Sequence, residues 1–110
     1  MKILNLTPHE VVCHVNDSVK LTFSKQDLFA RVKTTTIESE PLLDTVSSFE
    51  LPMFQTVYGA VENLPEMEEN TYLIVSRIVQ SAANNRADLL IPSGLVRDDK
   101  GNIIGCKGFE

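Results

Sequence analysis

The chain has 110 residues, of which 43% are hydrophobic and 23% are charged, and its formal net charge is −5. This size allows one domain, over residues 1–110, and the composition is that of a globular protein rather than a disordered or collagenous one. A net negative charge disfavours general binding to nucleic-acid polymers, which needs a cationic surface. No apolar run approaches the ~20 residues of a membrane span, so we expect a cytoplasmic protein without membrane contact.

The charge is unevenly distributed along the chain. Residues 1–37 carry five Lys and Arg against three acids, residues 38–69 carry eight acids and no base, and residues 70–110 carry five Lys and Arg against four acids. An anionic ligand should therefore meet the outer thirds of the chain, which contain Arg31, Arg77, Arg86 and Arg97.

The beginning of the chain predicts a strand, a turn and a hairpin. Residues 1–6 alternate between apolar and polar side chains and end at a proline turn. Residues 11–15 and 18–23 flank Asn16-Asp17, residue types that accept the positive φ of a tight turn. A two-residue loop would place His14 on the core face, whereas a slip of one residue would turn it outward, and the sequence leaves both open.

The next part of the chain predicts two strands separated by a loop. Residues 29–37 are rich in β-branched side chains and alternate, which is typical of a strand. Residues 38–48 are acidic, contain Pro41 and have weak periodicity, which predicts a loop or mobile connection. Residues 49–59 predict another strand, and residues 61–70 predict a solvated turn.

The last 40 residues predict a strand, one helix and a closing hairpin. Residues 71–75 are the strand, Ser76 is the expected N-cap, and apolar residues at helical spacing predict a helix of about ten residues that ends at Asn84-Asn85. Residues 95–98 and 103–106 should pair across a turn. The predicted fold class is α+β, an antiparallel β-sheet with a strand-helix-hairpin unit at the C-terminal end.

Groups for catalysis or metal binding are few. A zinc site would need His9, Cys13, His14 and Cys106 to converge, but neighbours on a strand point to opposite faces, so Cys13 and His14 cannot readily share one ion. No nucleophile signature surrounds Cys106, and no helix is expected after the glycines of residues 101–108, as a phosphate-binding loop would require. We expect no enzyme activity, no metal and no cofactor.

A set of cationic, polar and aromatic residues could instead form a nucleotide pocket. Arg can hold a phosphate through two parallel hydrogen bonds, Asp can accept from ribose hydroxyls, Asn can pair with a base edge, and an aromatic ring can stack on a purine. The alternative, in which Arg86 with Asp88 and Arg97 with Asp98 are ordinary surface ion pairs, stays open. The candidate ligand-binding residues are Arg97, Arg86, Asp98, Asn84, Asn85, Tyr72, Phe54 and Arg31.

Several segments resemble a family of small phage and prophage proteins. They are residues 5–11 (NLTPHEV), 72–76 (YLIVS), 86–92 (RADLLIP), 96–98 (VRD) and 101–106 (GNIIGC). Within phage biology, the size, the predicted β-sheet and the C-terminal helical part are similar to the Thoeris anti-defence sponges. Such proteins capture the cyclic ADP-ribose signal of TIR-domain defence enzymes without degrading it, and relatives bind cyclic oligonucleotides as oligomers.

This resemblance implies an anti-defence protein that sequesters a cyclic nucleotide, a cyclic ADP-ribose isomer or a cyclic oligonucleotide, without cleaving it. It also implies a homo-oligomer, a dimer or larger, in the cytoplasm of the bacterial host. The alternative is a phage structural or accessory protein-protein interaction module that has no nucleotide ligand and contacts its partner through the acidic middle segment.

Overall fold

The computed structural model describes residues 1–110 and contains nine strands and one short helix. The elements in chain order are β1 (Lys2–Asn5), β2 (Val11–His14), β3 (Lys20–Phe23), β4 (Arg31–Asp44), β5 (Phe49–Glu62), β6 (Thr71–Ile74), α1 (Arg77–Ala82), β7 (Leu89–Leu90), β8 (Pro92–Arg97) and β9 (Ile103–Phe109). Strands hold 55% of the residues and helix only ~5%. The predicted α+β class is therefore wrong, and the fold is β-rich.

The nine strands form three sheets. The first has the order β1-β6-β7 and is parallel, the second has the order β3-β2-β9-β8, and the third is the pair β4-β5. The predicted separation into an N-terminal antiparallel sheet and a C-terminal unit is wrong. β1 pairs in parallel with β6, and β2 pairs in parallel with β9 at Cys13 and Cys106, so the two ends of the chain share both larger sheets.

The main core lies between the parallel sheet and α1. The predicted N-cap is confirmed, because the Ser76 hydroxyl accepts a hydrogen bond from the Val79 amide at 3.3 Å. α1 has six residues rather than about ten, and no helix in the chain is long and apolar enough to cross a membrane. The buried core side chains are Leu6, Ala30, Leu73, Val75, Val79, Ala83, Leu89 and Ile91.

The β2–β3 hairpin has a longer loop than predicted. The Val15 amide donates to the Val19 carbonyl at 3.0 Å, which leaves three residues in the loop, and Asn16 Oδ1 accepts two amides that follow it. The two-residue loop is therefore wrong. His14 lies opposite Lys20 and does not share the face on which Leu21 lies.

The strands β4 and β5 form a long antiparallel ribbon, which we call the arm (residues 31–62). Each strand has 14 residues, and the pairing runs from Arg31 with Glu62 to Asp44 with Phe49. The loop predicted over residues 38–48 is wrong, because β4 continues through Asp44. Its alternation is broken by a bulge between Ser39 and Leu42, which contains Pro41 and conceals the strand pattern.

Candidate functional site

The eight side chains predicted to bind a ligand lie in separate parts of the molecule. The part of the chain outside the arm, residues 1–30 and 63–110, is called the body. Its region around α1 and β6 contains Arg86, Asn84, Asn85 and Tyr72. Arg97 and Asp98 lie at the turn between β8 and β9, and Arg31 and Phe54 lie on the arm. The structure does not bring these three groups together into one pocket.

Arg86 is engaged within the protein. Its Nε and Nη2 donate to the two carboxylate oxygens of Asp88 at 2.9 and 2.7 Å, and the two side chains are 17% and 6% exposed. The hydrogen bond from Arg86 lowers the pKa of Asp88, and the same bond raises the pKa of Arg86. The guanidinium group of Arg86 is thus occupied by a buried carboxylate, so this ion pair is structural rather than an ordinary surface ion pair.

Arg97 and Asp98 shape the turn that closes the last hairpin. Arg97 Nη1 donates to the Gly101 carbonyl at 2.8 Å, and Asp98 Oδ1 accepts from the amides of Lys100 and Asn102, both at 2.9 Å. The Arg97 side chain is exposed, so part of its guanidinium still faces solvent. Local turn formation accounts for the position of both residues.

The other predicted residues are exposed and far apart along the fold. Arg31 lies 3.7 Å from Glu62 at the base of the arm, and Phe54 lies opposite Glu38 further along it. Tyr72 lines a groove of about 340 Å³ that also contains Glu68 and Glu69. Those carboxylates disfavour a phosphate at this place.

A second groove lies where the arm meets α1, and we call it the arm-base groove. Val32, Ile78 and Ala82 form its apolar wall, and Tyr58, Arg77 and Ser81 supply its polar groups. Its volume is about 480 Å³, in the range of small-molecule sites. It combines an aromatic ring, a guanidinium and a hydroxyl, which are the groups that an anionic aromatic ligand needs.

A cationic pocket of about 450 Å³ lies at the end of the β2–β3 hairpin. Lys20 and Lys107 line it together with His14, whose Nε2 is buried and has no hydrogen-bond partner. Asp17 also lines the pocket. The His14 ring packs on Gly105, since a Cβ built there would lie 2.6 Å from Nε2. The ring therefore fills the space that the glycine leaves.

The two cysteines lie side by side on neighbouring parallel strands, Cys13 on β2 and Cys106 on β9. Both are free and buried. Burial raises the pKa of the Cys106 thiol, and the adjacent Cys13 raises it further. No group of three or more His, Cys, Asp and Glu side chains is placed to hold a metal ion.

The arm exposes apolar side chains along one of its faces. Every residue of β5 from Phe49 to Ala60 is exposed. Residues opposite each other share a face, and alternate residues of β5 share it too. One face therefore carries six exposed apolar side chains, which we call the arm apolar face: Ile37, Leu42, Phe49, Leu51, Met53 and Val57.

The opposite face of the arm is mixed. It carries Phe54 and Tyr58, but also Glu38 and Glu50, which lie opposite Phe54 and Leu43. The contrast between the faces was available in the sequence of β5, because Phe49, Leu51, Met53 and Val57 follow alternate positions. The loop predicted over residues 38–48 left this strand without a pairing partner, so the sequence did not predict this surface.

Comparison with known proteins finds no match to this chain among protein families, curated proteins or solved structures.

Proposed function

We propose that this chain is a protein-protein interaction module whose contact surface is the arm. The observation that carries this proposal is the arm apolar face, with six large side chains in contact with solvent along a ribbon of only two strands. A patch of this kind on a soluble protein marks a binding surface. An isolated two-stranded ribbon is only marginally stable in water, so a partner that covers this face would also stabilise the arm.

The contact uses the face of the arm rather than its edges. Pro41 in β4 and Pro52 in β5 supply no amide donor, and Glu40 adds a charge next to the first of them. Prolines and charges of this kind prevent further strands from pairing with an exposed edge. The arm apolar face carries one charged side chain, Asp44, at its outer end, where it lies opposite Phe49.

Site-specific photocrosslinking tests this function without assuming the partner. A photoreactive phenylalanine analogue replaces Phe49, on the arm apolar face, or Phe54, on the opposite face, in cells that produce the full chain. We expect a discrete crosslinked product from position 49 and little from position 54, because only the first faces a partner. Equal products from both positions, or none from position 49, would remove the arm as a specific contact surface.

A second candidate function, sequestration of a cyclic nucleotide, is favoured by the arm-base groove. Tyr58 can stack on a base, and Arg77 can bind a phosphate through two N–H groups of its guanidinium. Ser81 can hydrogen-bond a ribose or phosphate oxygen. Arg77 makes only a loose contact with Glu110, at 3.8 Å, and its side chain is 70% exposed. It is thus more available to a ligand than Arg86.

Calorimetry with a cyclic ADP-ribose isomer tests the second candidate. Arg77→Ala should weaken binding by about 2 kcal/mol, the size expected for a lost charged hydrogen bond. Arg97→Ala is the matched control, because it removes the same charge from the β8–β9 turn. Weaker binding by Arg97→Ala alone would instead place the ligand at the turn predicted from the sequence, and no binding by the wild type would exclude this ligand.

A further inference from the structure

We propose that the cationic pocket at the end of the β2–β3 hairpin binds a small phosphate monoester, and that Lys20, His14 and Lys107 hold its phosphate group. The pocket lies on the four-stranded sheet β3-β2-β9-β8, and no residue of the arm lines it. This site therefore does not depend on the proposed function of the arm.

The strand register brings the three side chains together. His14 on β2 lies directly opposite Lys20 on β3. On the other side of β2, Cys13 pairs with Cys106 of the parallel strand β9. The next residues on these two strands, His14 and Lys107, therefore lie side by side on the opposite face of the sheet. Since neighbouring strands are about 4.8 Å apart, the two lysines flank the imidazole across three adjacent strands.

The two lysines have no counter-charge within the protein. All three ion pairs of the molecule are made by arginines, so neither lysine belongs to one. Asp17 is the one carboxylate that lines the pocket, and it lies within ion-pair distance of neither ammonium group. Two unpaired cations on one face of a sheet create a positive potential that attracts an anion.

Two glycines leave room for the side chains of this site. The His14 ring lies on Gly105, where a Cβ would be 2.6 Å from both Cδ2 and Nε2. The stem of Lys107 lies on Gly94, where a Cβ would be 3.1 Å from the Lys107 Cβ and 3.5 Å from its Cγ and Cδ. Both side chains are thus positioned before a ligand arrives, which lowers the entropy cost of binding.

The imidazole of His14 has a nitrogen without a partner. Nε2 is buried and makes no hydrogen bond, and an unsatisfied buried group costs free energy. The ring edge with Nε2 and Cδ2 lies on Gly105, so the edge with Nδ1 faces away from that glycine. A half-turn about the Cβ–Cγ bond exchanges the two edges. The ring can therefore offer either Nδ1 or Nε2 to the oxygen of a ligand.

The donors of the pocket fit a phosphate better than a carboxylate. Two ammonium groups and one imidazole project from three strands, and a phosphate monoester has three terminal oxygens that accept hydrogen bonds from different directions. A carboxylate suits the planar guanidinium of an arginine, which this pocket lacks. The volume of about 450 Å³ is in the range of small-molecule sites, and Val15 and Val96 can contact an apolar part of the ester.

A nuclear magnetic resonance titration of the full chain with phenyl phosphate tests this inference at constant ionic strength. We expect the imidazole nitrogen signals of His14 to shift on binding, while those of His9, the only other histidine, stay unchanged. Lys20→Gln with Lys107→Gln should weaken binding about tenfold, because two charged hydrogen bonds are lost. Both lysines are exposed, so this variant should keep the wild-type circular dichroism.

Three comparisons separate this site from non-specific attraction. Lys25→Gln with Lys100→Gln removes the same charge at exposed positions outside the pocket and should bind like the wild type. Asp17→Asn removes the carboxylate of the pocket and should bind phenyl phosphate more tightly. Inorganic phosphate and benzoate should both bind more weakly than phenyl phosphate, because the first lacks the apolar ring and the second lacks the phosphate.

Three results would overturn the inference. Equal binding by the wild type and the Lys20→Gln, Lys107→Gln variant would place the anion elsewhere, and equal weakening by the Lys25→Gln, Lys100→Gln variant would reduce the effect to the overall charge of the chain. Benzoate that binds as tightly as phenyl phosphate would remove the preference for phosphate. Signals of His14 that do not shift at millimolar phenyl phosphate would show that the pocket does not bind phosphate monoesters.

Discussion

At the scale of single residues, Gly105 lies where β9 packs tightly against β2. A Cβ at this position would lie 2.6 Å from the His14 ring and 2.7 Å from the Val12 carbonyl oxygen, and the carbonyl belongs to backbone that cannot move aside. Side chains forced into such contacts typically cost 1–3 kcal/mol. The pairing of β2 with β9 therefore depends on glycine here.

Gly105→Ala should lower the free energy of unfolding by about 2 kcal/mol. Gly108→Ala is the matched control, because it lies on the same strand and a Cβ there meets nothing within 4 Å. Urea unfolding followed by circular dichroism measures both. Equal midpoints for the two variants would mean that β2 and β9 are further apart than described.

The buried pair of Arg86 and Asp88 gives a prediction about pH. The pKa of Asp88 is lowered in the folded state, so its stabilisation is present above the ordinary aspartate pKa of about 4 and is lost as the pH falls through the lowered folded-state pKa. Asp88→Asn leaves the Arg86 charge uncompensated and should cost about 3 kcal/mol at pH 7.

Thermal unfolding between pH 2 and pH 7 checks this prediction. The wild type should lose more stability in acid than the Asp88→Asn variant, because the variant has no carboxylate to protonate at this position. Asp99→Asn, at an exposed position in the β8–β9 turn, should behave like the wild type. Parallel acid profiles for the wild type and Asp88→Asn would contradict the structural role of the pair.

Residue-level interactions were predictable from the sequence only where they are local. The Ser76 cap joins neighbours in the chain, and it was predicted correctly. The pair of Arg86 and Asp88 is equally local, but its burial depends on the parallel sheet beside it, which local sequence does not encode. The eight predicted ligand-binding residues were chosen by side-chain type. The sequence does not give the distances between them in the fold.

At the scale of elements, the arm is the largest departure from the sequence prediction. Acidic residues and Pro41 suggested a loop over residues 38–48, because both are uncommon inside strands. The bulge between Ser39 and Leu42 explains how they fit, since it takes the proline out of the regular ladder and shifts the alternation. In contrast, the closing hairpin β8–β9 has a local turn and was predicted correctly.

Shortening the arm tests whether it is independent of the body. Residues 38–54 are replaced by Asn-Gly, a pair that suits a two-residue turn between the opposed residues Ile37 and Gln55. The body should keep its unfolding temperature within a few degrees, because only Val32 and Val61, at the base of the arm, pack against the core. Loss of the folded body in circular dichroism would show that the outer arm is part of the core.

At the scale of the whole molecule, the chain is extended for its length. The radius of gyration is 18.7 Å, whereas a compact chain of this size would have about 13 Å, and only 14 of 110 residues are buried. Two parallel strand pairs, β1 with β6 and β2 with β9, join the two ends of the chain. Pairing between strands so far apart in the chain leaves no local signal in the sequence. Much of the apolar surface of the arm stays exposed in the single chain.

The most direct test of the arm as a partner-covered surface is hydrogen-deuterium exchange of the wild-type chain with and without the protein that is crosslinked at position 49. In the presence of that protein, the amides of residues 31–62 should exchange slowly. In its absence they should exchange much faster, while the core amides of β6 and α1 keep their rates. Arm amides that exchange at one rate in both samples would contradict this account.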